Sequence, residues 1–354
     1  MKLAQSFDKQ DIRNFSYEEL VAYLATIGGK PFRAEQIFDW IYKKGASDFN
    51  AMKNLPQPLK EHLQKDFTFA SAQVVKNLVS EDKTKKFLFD LADCEKVETV
   101  LIPTANRATV CVSTQAGCKF GCRFCASGIG GWTRNLTSAE ILGQVLHAKQ
   151  AAEGHPLSHI VFMGTGEPLD NYDNVLKAIR IINSPQGLGI AARRITVSTC
   201  GVIPQIKQLA KEGMQIELAI SLHGYSDESR KVLMPVNKKY PMDDLIAACR
   251  EYFQATKRQI TFEYILIKNV TCSNEAAKSL GKLLKGFVCK LNLIPYNKVS
   301  EFDHEPPSKE EMFAFRDQLG QNGVHSTIRT PRGRDVGAAC GQLRHASQYS
   351  NKMA

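Results

Sequence analysis

From residue 109 onward the chain repeats one pattern: a short run rich in Val, Ile, Leu and Thr, a turn, then a longer stretch with apolar residues at helical spacing. The runs 109–113, 159–163, 194–199, 215–222, 260–267 and 290–296 read as strands. The stretches between them read as helices: one capped by Thr137 with Glu140, then 174–182, 203–212, 242–255 and 275–284, and one capped by Ser308 with Glu311. Strands separated by helices of this length pair in parallel, and the helices must lie outside the sheet. The fold class is therefore α/β. Six such units fall short of the eight that close a complete barrel. In parallel α/β architectures chemistry gathers at the C-terminal ends of the strands.

The turn after the first strand carries Cys118, Cys122 and Cys125 in a C-x3-C-x2-C array, among Gly117, Gly121, Gly128, Gly130 and Gly131. Three thiols this close cannot all pair as disulfides within the triplet, and one looped segment can aim them at a common point. Soft thiolates select zinc, copper(I) or an iron-sulfur cluster. Structural zinc sites want four protein ligands, commonly as two half-sites, and the chain has no second C-x2-C. A zinc loop completed by a distant His or Cys stays open at this point. A cluster held by three cysteines leaves one iron with an open position, which suits catalysis rather than stapling.

The other strand ends carry short polar groups. Met163-Gly164-Thr165-Gly166-Glu167-Pro168 follows the second strand; its glycines let backbone approach a ligand, and Glu167 offers a carboxylate to an ammonium group. Ser198 closes the third strand, Ser221-Leu222-His223 the fourth, and Asn297 follows the sixth. Singly each is an ordinary cap or turn residue, and His223 reads equally as a buried structural histidine. Together they share one rim. Cys340 lies in the glycine-flanked, cationic run from Arg332 to Gly341, which reads as a mobile loop whose arginines depress the thiol pKa. Cys94, Cys200, Cys249, Cys272 and Cys289 have no motif around them and read as bystanders.

Upstream, 15–67 is helical, opened by a capping box of Ser16 and Glu19. A second helix follows from Phe32 to Ile41 and ends near Gly45. Its surface carries Arg33, Lys43, Lys44, Lys53, Lys60 and Lys65, which suits RNA docking or simply a solvated face. Next, 73–79 and 86–91 bracket a polar turn and read as a hairpin, and 96–102 is a further strand. On residues alone, Glu98 within it reads as a surface carboxylate. The 46 Lys and Arg against 36 Asp and Glu give a net charge of +10, which fits a polyanionic partner without proving one. The first residues lack the apolar core of a secretion signal, and no apolar run reaches the length of a membrane span, so the expected location is the cytoplasm. Ten cysteines in such a chain point to reduced thiols and metal or redox chemistry rather than a disulfide framework.

The triplet followed by Gly-Thr-Gly-Glu-Pro resembles the radical S-adenosylmethionine enzymes. With Cys111 seven residues before the triplet and Cys340 in Arg-Gly-Arg-Asp-Val-Gly-Ala-Ala-Cys, the chain is similar to the adenosine-C2 methyltransferases of 23S ribosomal RNA and transfer RNA. That resemblance runs from the helical N-terminus to Cys340. It implies a partial (β/α)6 barrel over 107–300, with a small N-terminal helical domain (1–70), a β-hairpin extension (71–106) and a C-terminal helix, strand and cysteine loop (301–354).

It also implies roles. Cys118, Cys122 and Cys125 would hold a 4Fe-4S cluster, and Gly166, Glu167, Ser198, Ser221, Leu222, His223 and Asn297 would contact S-adenosylmethionine, two molecules being used per turnover. Cys340 would become an S-methylcysteine, Glu98 would accept the C2 proton, and Cys111 would release the product through a transient disulfide with Cys340. Carbon 2 of adenine is no nucleophile, so a polar methyl transfer has nothing to attack with, which is why a radical route through a cysteine carrier is needed. Implied partners are 23S rRNA and tRNA presenting an unpaired adenosine, and a one-electron donor such as flavodoxin or ferredoxin; the chain would act as a monomer. Lys119, Arg123, Arg134, Arg193, Lys238, Lys239, Arg332 and Arg334 are candidates for phosphate contacts. Two other readings compete: an adenine-C8 methyltransferase that confers antibiotic resistance, and a zinc-stapled RNA-binding protein without catalysis.

Overall fold

The computed structural model describes residues 9–70 and 72–343; the end of the expected C-terminal unit, 344–354, lies outside them. Its centre is one open, ten-stranded sheet. Six parallel strands stand side by side in chain order: Arg107–Cys111, Leu157–Phe162, Ile195–Thr199, Glu217–Ser221, Ile260–Leu266 and Cys289–Pro295. Their apolar runs, such as Leu218, Ala219 and Ile220, are buried on both faces, as a parallel sheet covered by helices requires. A seventh parallel strand, Ser326–Ile328, pairs with the sixth.

At the other edge the sheet turns antiparallel. Lys96–Thr104 pairs with the first parallel strand, Lys85–Asp90 with it in turn, and Gln73–Val79 forms the edge. The hairpin therefore continues the main sheet. This placement corrects the reading of Glu98 as a surface carboxylate: its strand lies inside the sheet, and Glu98 is 1 % exposed.

All three expected capping boxes form, at Ser16–Glu19, Thr137–Glu140 and Ser308–Glu311. Each ties two backbone N–H groups that the first helical turn would leave without partners. The second N-terminal helix is Phe32–Phe38, and the chain then widens into a π turn over Asp39–Lys43. A third helix, Gln57–Asp66, follows. These helices share one continuous apolar core with the barrel, through Leu20, Leu24, Ile37 and Phe38. The junction is polar and specific: the side-chain oxygen of Asn14 accepts from Ala139 N–H at 2.9 Å, at the start of the helix Ser138–Ala151, and Lys177 pairs with Glu19 at 2.9 Å. Between the fourth strand and its helix Met242–Thr256 the structure inserts a short helix, Asp227–Leu233, capped by Ser226, which the periodicity did not reveal.

Candidate active site

The C-terminal ends of the parallel strands surround a cavity of about 240 Å³. Cys118, Cys122 and Cys125 line one side, the strand-end residues Gly166, Glu167, Ser198, Ser221, His223 and Asn297 the floor and opposite wall, and Ala338 to Gly341 the roof. Of the predicted cofactor contacts only Leu222 does not face it, being fully buried in the core.

The cysteine loop is held by close backbone packing. Cys118 N–H donates to Gly131 O at 2.7 Å and Cys125 N–H to Cys122 O at 3.1 Å. Gly117 sits at φ +80°, and a Cβ there would lie 2.0 Å from Gly131 O, so only glycine fits. Among the described residues no group of three His, Cys, Asp or Glu is drawn tightly enough to grip a single ion; the three thiols line one side of the cavity. Burial, against a backbone hydrogen bond and with lesser effects of neighbouring charges, pushes the Cys118 thiol up to about 12, and burial with repulsion from Cys125 and Cys118 raises Cys122 as well. Thiols in such a wall ionise only for a group that brings its own positive charge. A donor set of three soft thiols beside an open cavity fits an iron-sulfur cluster with a free coordination position.

Glu167 is fully enclosed. Its two oxygens accept from Leu169 N–H at 3.0 Å and Cys200 N–H at 2.7 Å, and burial raises its pKa against those hydrogen bonds. Cys200, read from sequence as a bystander, thus lines the cavity and positions Glu167 through its backbone. No sequence signal pointed to it, because the contact uses the N–H that every residue but proline has. Gly164 and Gly166 let the second strand press against the first: a Cβ would stand 2.6 Å from Val112 O and 2.5 Å from Gln115 Cβ respectively.

His223 adopts φ +50°, its ring stacks edge-on against Phe124 at 4.8 Å, and Nδ1 accepts from Ile265 N–H at 3.1 Å. Burial, helped by the charge of Arg230, lowers its pKa to about 3, so the ring is neutral and the proton sits on Nε2. Asn297 pins the roof: its amide N–H donates to Cys340 O at 3.1 Å, and its oxygen accepts from Arg334 Nε at 2.8 Å.

Cys340 is exposed to the cavity it lines, with protein crowding its thiol from the other sides. Its pKa is raised, by burial first and then by Glu263, against a smaller opposing effect of Arg329. The expected depression by loop arginines is thus overturned, because Arg332 turns away to Asp82 and Arg334 to Asn297. Cys111 is buried beneath Ala338 and Leu343, its thiol raised by burial and by the nearby charge of Cys340. Glu98 does not line the cavity; it pairs at 2.9 Å with Lys86, whose ammonium also donates to Gly337 O at 3.1 Å. Asp335 accepts from Glu81 N–H at 3.1 Å and Gly333 N–H donates to Asp82 at 3.1 Å. The antiparallel hairpin therefore clasps the Cys340 loop at several points.

The phosphate candidates divide. Arg134 is taken up by Asp93 and Glu140, and Lys119 by Asp170 at 2.6 Å. Arg123, Arg193, Lys238 and Lys239 are exposed.

An open parallel barrel with three thiols after its first strand and Gly-Glu after its second defines a radical S-adenosylmethionine protein, and the family model described as the radical SAM superfamily matches residues 112–277. A second model, the ribosomal RNA large subunit methyltransferase N-terminal domain, matches residues 10–68. Proteins described as probable dual-specificity RNA methyltransferase RlmN are 49% identical in Clostridium acetobutylicum, over 95% of this chain and 97% of that one, and 46% identical in Clostridium tetani, over 98% and 99%. A crystal structure of a radical SAM methyltransferase from Sphaerobacter thermophilus superposes with a TM-score of 0.92 at 43% identity, covering 95% of this chain and 99% of that one. The chain belongs to this RNA methyltransferase family of the radical SAM superfamily.

Proposed function

We propose that the protein methylates carbon 2 of an unpaired adenosine in 23S ribosomal RNA, and of an adenosine in transfer RNA, using Cys340 as methyl carrier. The observation that carries this reading is the meeting, under one roof, of the thiol triplet, the Gly166-Glu167 floor and the open Cys340 thiol, with Cys111 packed beneath Ala338 of the same loop. The relatives, described as dual-specificity RNA methyltransferases, support RNA as substrate, and family membership replaces the zinc-stapled reading. Whole-length similarity to them favours carbon 2 over carbon 8.

When bound, the cluster and S-adenosylmethionine supply the methyl group, one electron and hydrogen-atom abstraction. The chain does the rest. Cys340 loses its proton and its sulfur takes the methyl carbon, the sulfonium C–S bond breaking. Glu98 accepts the C2 proton after the carbon bridge to adenine has formed, and Lys86 stabilises the carboxylate until then. Cys111 then gives up its proton and attacks the Cys340 sulfur: the S–C bond breaks, an S–S bond forms, the freed carbon takes a proton to become the methyl group, and the unpaired electron would return to the redox group that supplied it; two external electrons and two protons restore both thiols. Because Glu98 lies outside the cavity wall, its role requires the hairpin clasp to shift when RNA enters. A low-potential flavodoxin or ferredoxin as donor, action as a monomer and a cytoplasmic location complete the proposal; among the described residues no helix is long and apolar enough to cross a membrane.

The test is the intact mass of the anaerobically purified, reconstituted protein after incubation with S-adenosylmethionine. Wild type gains about 14 Da and Cys340→Ala does not; subsequent RNA digestion yields 2-methyladenosine. Equal gains in both proteins, or 8-methyladenosine as product, refute the proposal.

A further inference from the structure

Arg230 on the short helix Asp227–Leu233 is the largest side chain among those fully buried, with 0 % exposure. Its donors go to Leu222 O at 2.9 Å, Cys200 O at 2.7 Å, Ser221 O at 3.2 Å and Asn237 Oδ1 at 2.8 Å. Among the described residues none goes to a carboxylate. Asp227, the carboxylate of this network, reaches it only through Asn237, whose amide donates to Asp227 at 2.6 Å. Glycines make the slot, for a Cβ on Gly224 would stand 2.5 Å from Arg230 Cβ. A buried guanidinium without an ion pair is costly, and a slot built for one implies an anion elsewhere.

The geometry says where. Three of the four acceptors belong to the third and fourth strand ends, which form the cavity wall at Cys200 and Ser221. The helix touches the cysteine loop directly, Arg123 N–H donating to Leu233 O at 3.0 Å.

We propose that Arg230 is the fixed countercharge of the cluster site, holding the thiolate-bound cluster's negative charge through the cavity wall and raising its one-electron reduction potential. This rests on the reading that Cys118, Cys122 and Cys125 hold the cluster. A fixed positive charge stabilises the more negative, reduced state over the oxidised one, so the electron from an external low-potential donor enters more readily. Arg230 is a positioning residue, since it reaches the cavity only through Cys200 and Ser221.

The experiment is an anaerobic redox titration of the reconstituted full chain with dithionite and mediators, without S-adenosylmethionine, following the reduced-cluster paramagnetic signal. Arg230→Gln makes reduction harder, by roughly tenfold in the reduced-to-oxidised ratio at fixed potential, about 59 mV for one electron. Arg230→Lys, which keeps the charge and loses the fork, stays near wild type. The paired swap Asp227→Asn with Asn237→Asp keeps the net charge and moves a carboxylate against Arg230, so it shifts the midpoint in the direction of Arg230→Gln even where that single variant fails to fold. An unmoved midpoint in the iron-loaded swap, or equal shifts in the Lys and Gln variants, overturns the proposal. Wild type that takes up no iron overturns the cluster reading and this proposal with it.

Discussion

Lys86→Met tests whether the hairpin clasp is as buried as the structure shows. Lys86 and Glu98 are paired at 2.9 Å with side chains 11 % and 1 % exposed, and the ammonium also ties down Gly337. Methionine keeps the apolar stem and removes the charge. Removing one partner of a buried pair leaves the other uncompensated, which costs about 3–5 kcal/mol at neutral pH. Loss of the bond to Gly337 adds about 1 kcal/mol. Adding Glu98→Leu removes the carboxylate that lost Lys86, so the double variant recovers most of the loss. Urea unfolding of the four proteins of this cycle, taken at equal m-value, gives the coupling directly. Protease cleavage after Arg332 or Arg334, in the clasped loop, quickens in the single variant. A loss below about 1 kcal/mol with additive effects would refute the argument, because a solvent-screened pair behaves that way.

Gly117→Ala meets both an unfavourable φ and Gly131 O, so it costs at least about 1–3 kcal/mol and lowers the iron bound per chain; iron analysis beside a denaturation curve checks it, and wild-type values for both would show that the loop relaxes freely. In the proposed mechanism, methylation of Cys340 depends on its thiolate. Because burial raises the thiol above its ordinary value of about 8.5, the initial rate by intact mass climbs with pH without a plateau up to about pH 9; a plateau below about pH 8 would point to a depressed thiol instead.

The strand and helix order, the capping boxes and the thiol triplet were legible because each is a local pattern: periods of two and 3.6, a four-residue box, and three cysteines within eight residues of one another. The Gly-Thr-Gly-Glu-Pro turn was legible for the same reason, and its place after a strand set which end of the sheet it occupies. Other features arise between segments far apart in the chain. Glu98 is buried because a loop some 240 residues later closes over its strand and Lys86 meets both. Cys111 comes under the Cys340 loop only because the C-terminal loop folds back across the first strand, and the protein that crowds Cys340 there raises its thiol, reversing the direction its neighbouring arginines suggested. Cys200 acts through its backbone and Arg230 through the carbonyls of three strand-end residues, contacts that no residue pattern announces. Periodicity and spacing record what adjacent residues do to one another, whereas burial and charge depend on everything within several ångströms, and here those neighbours come from opposite ends of the chain.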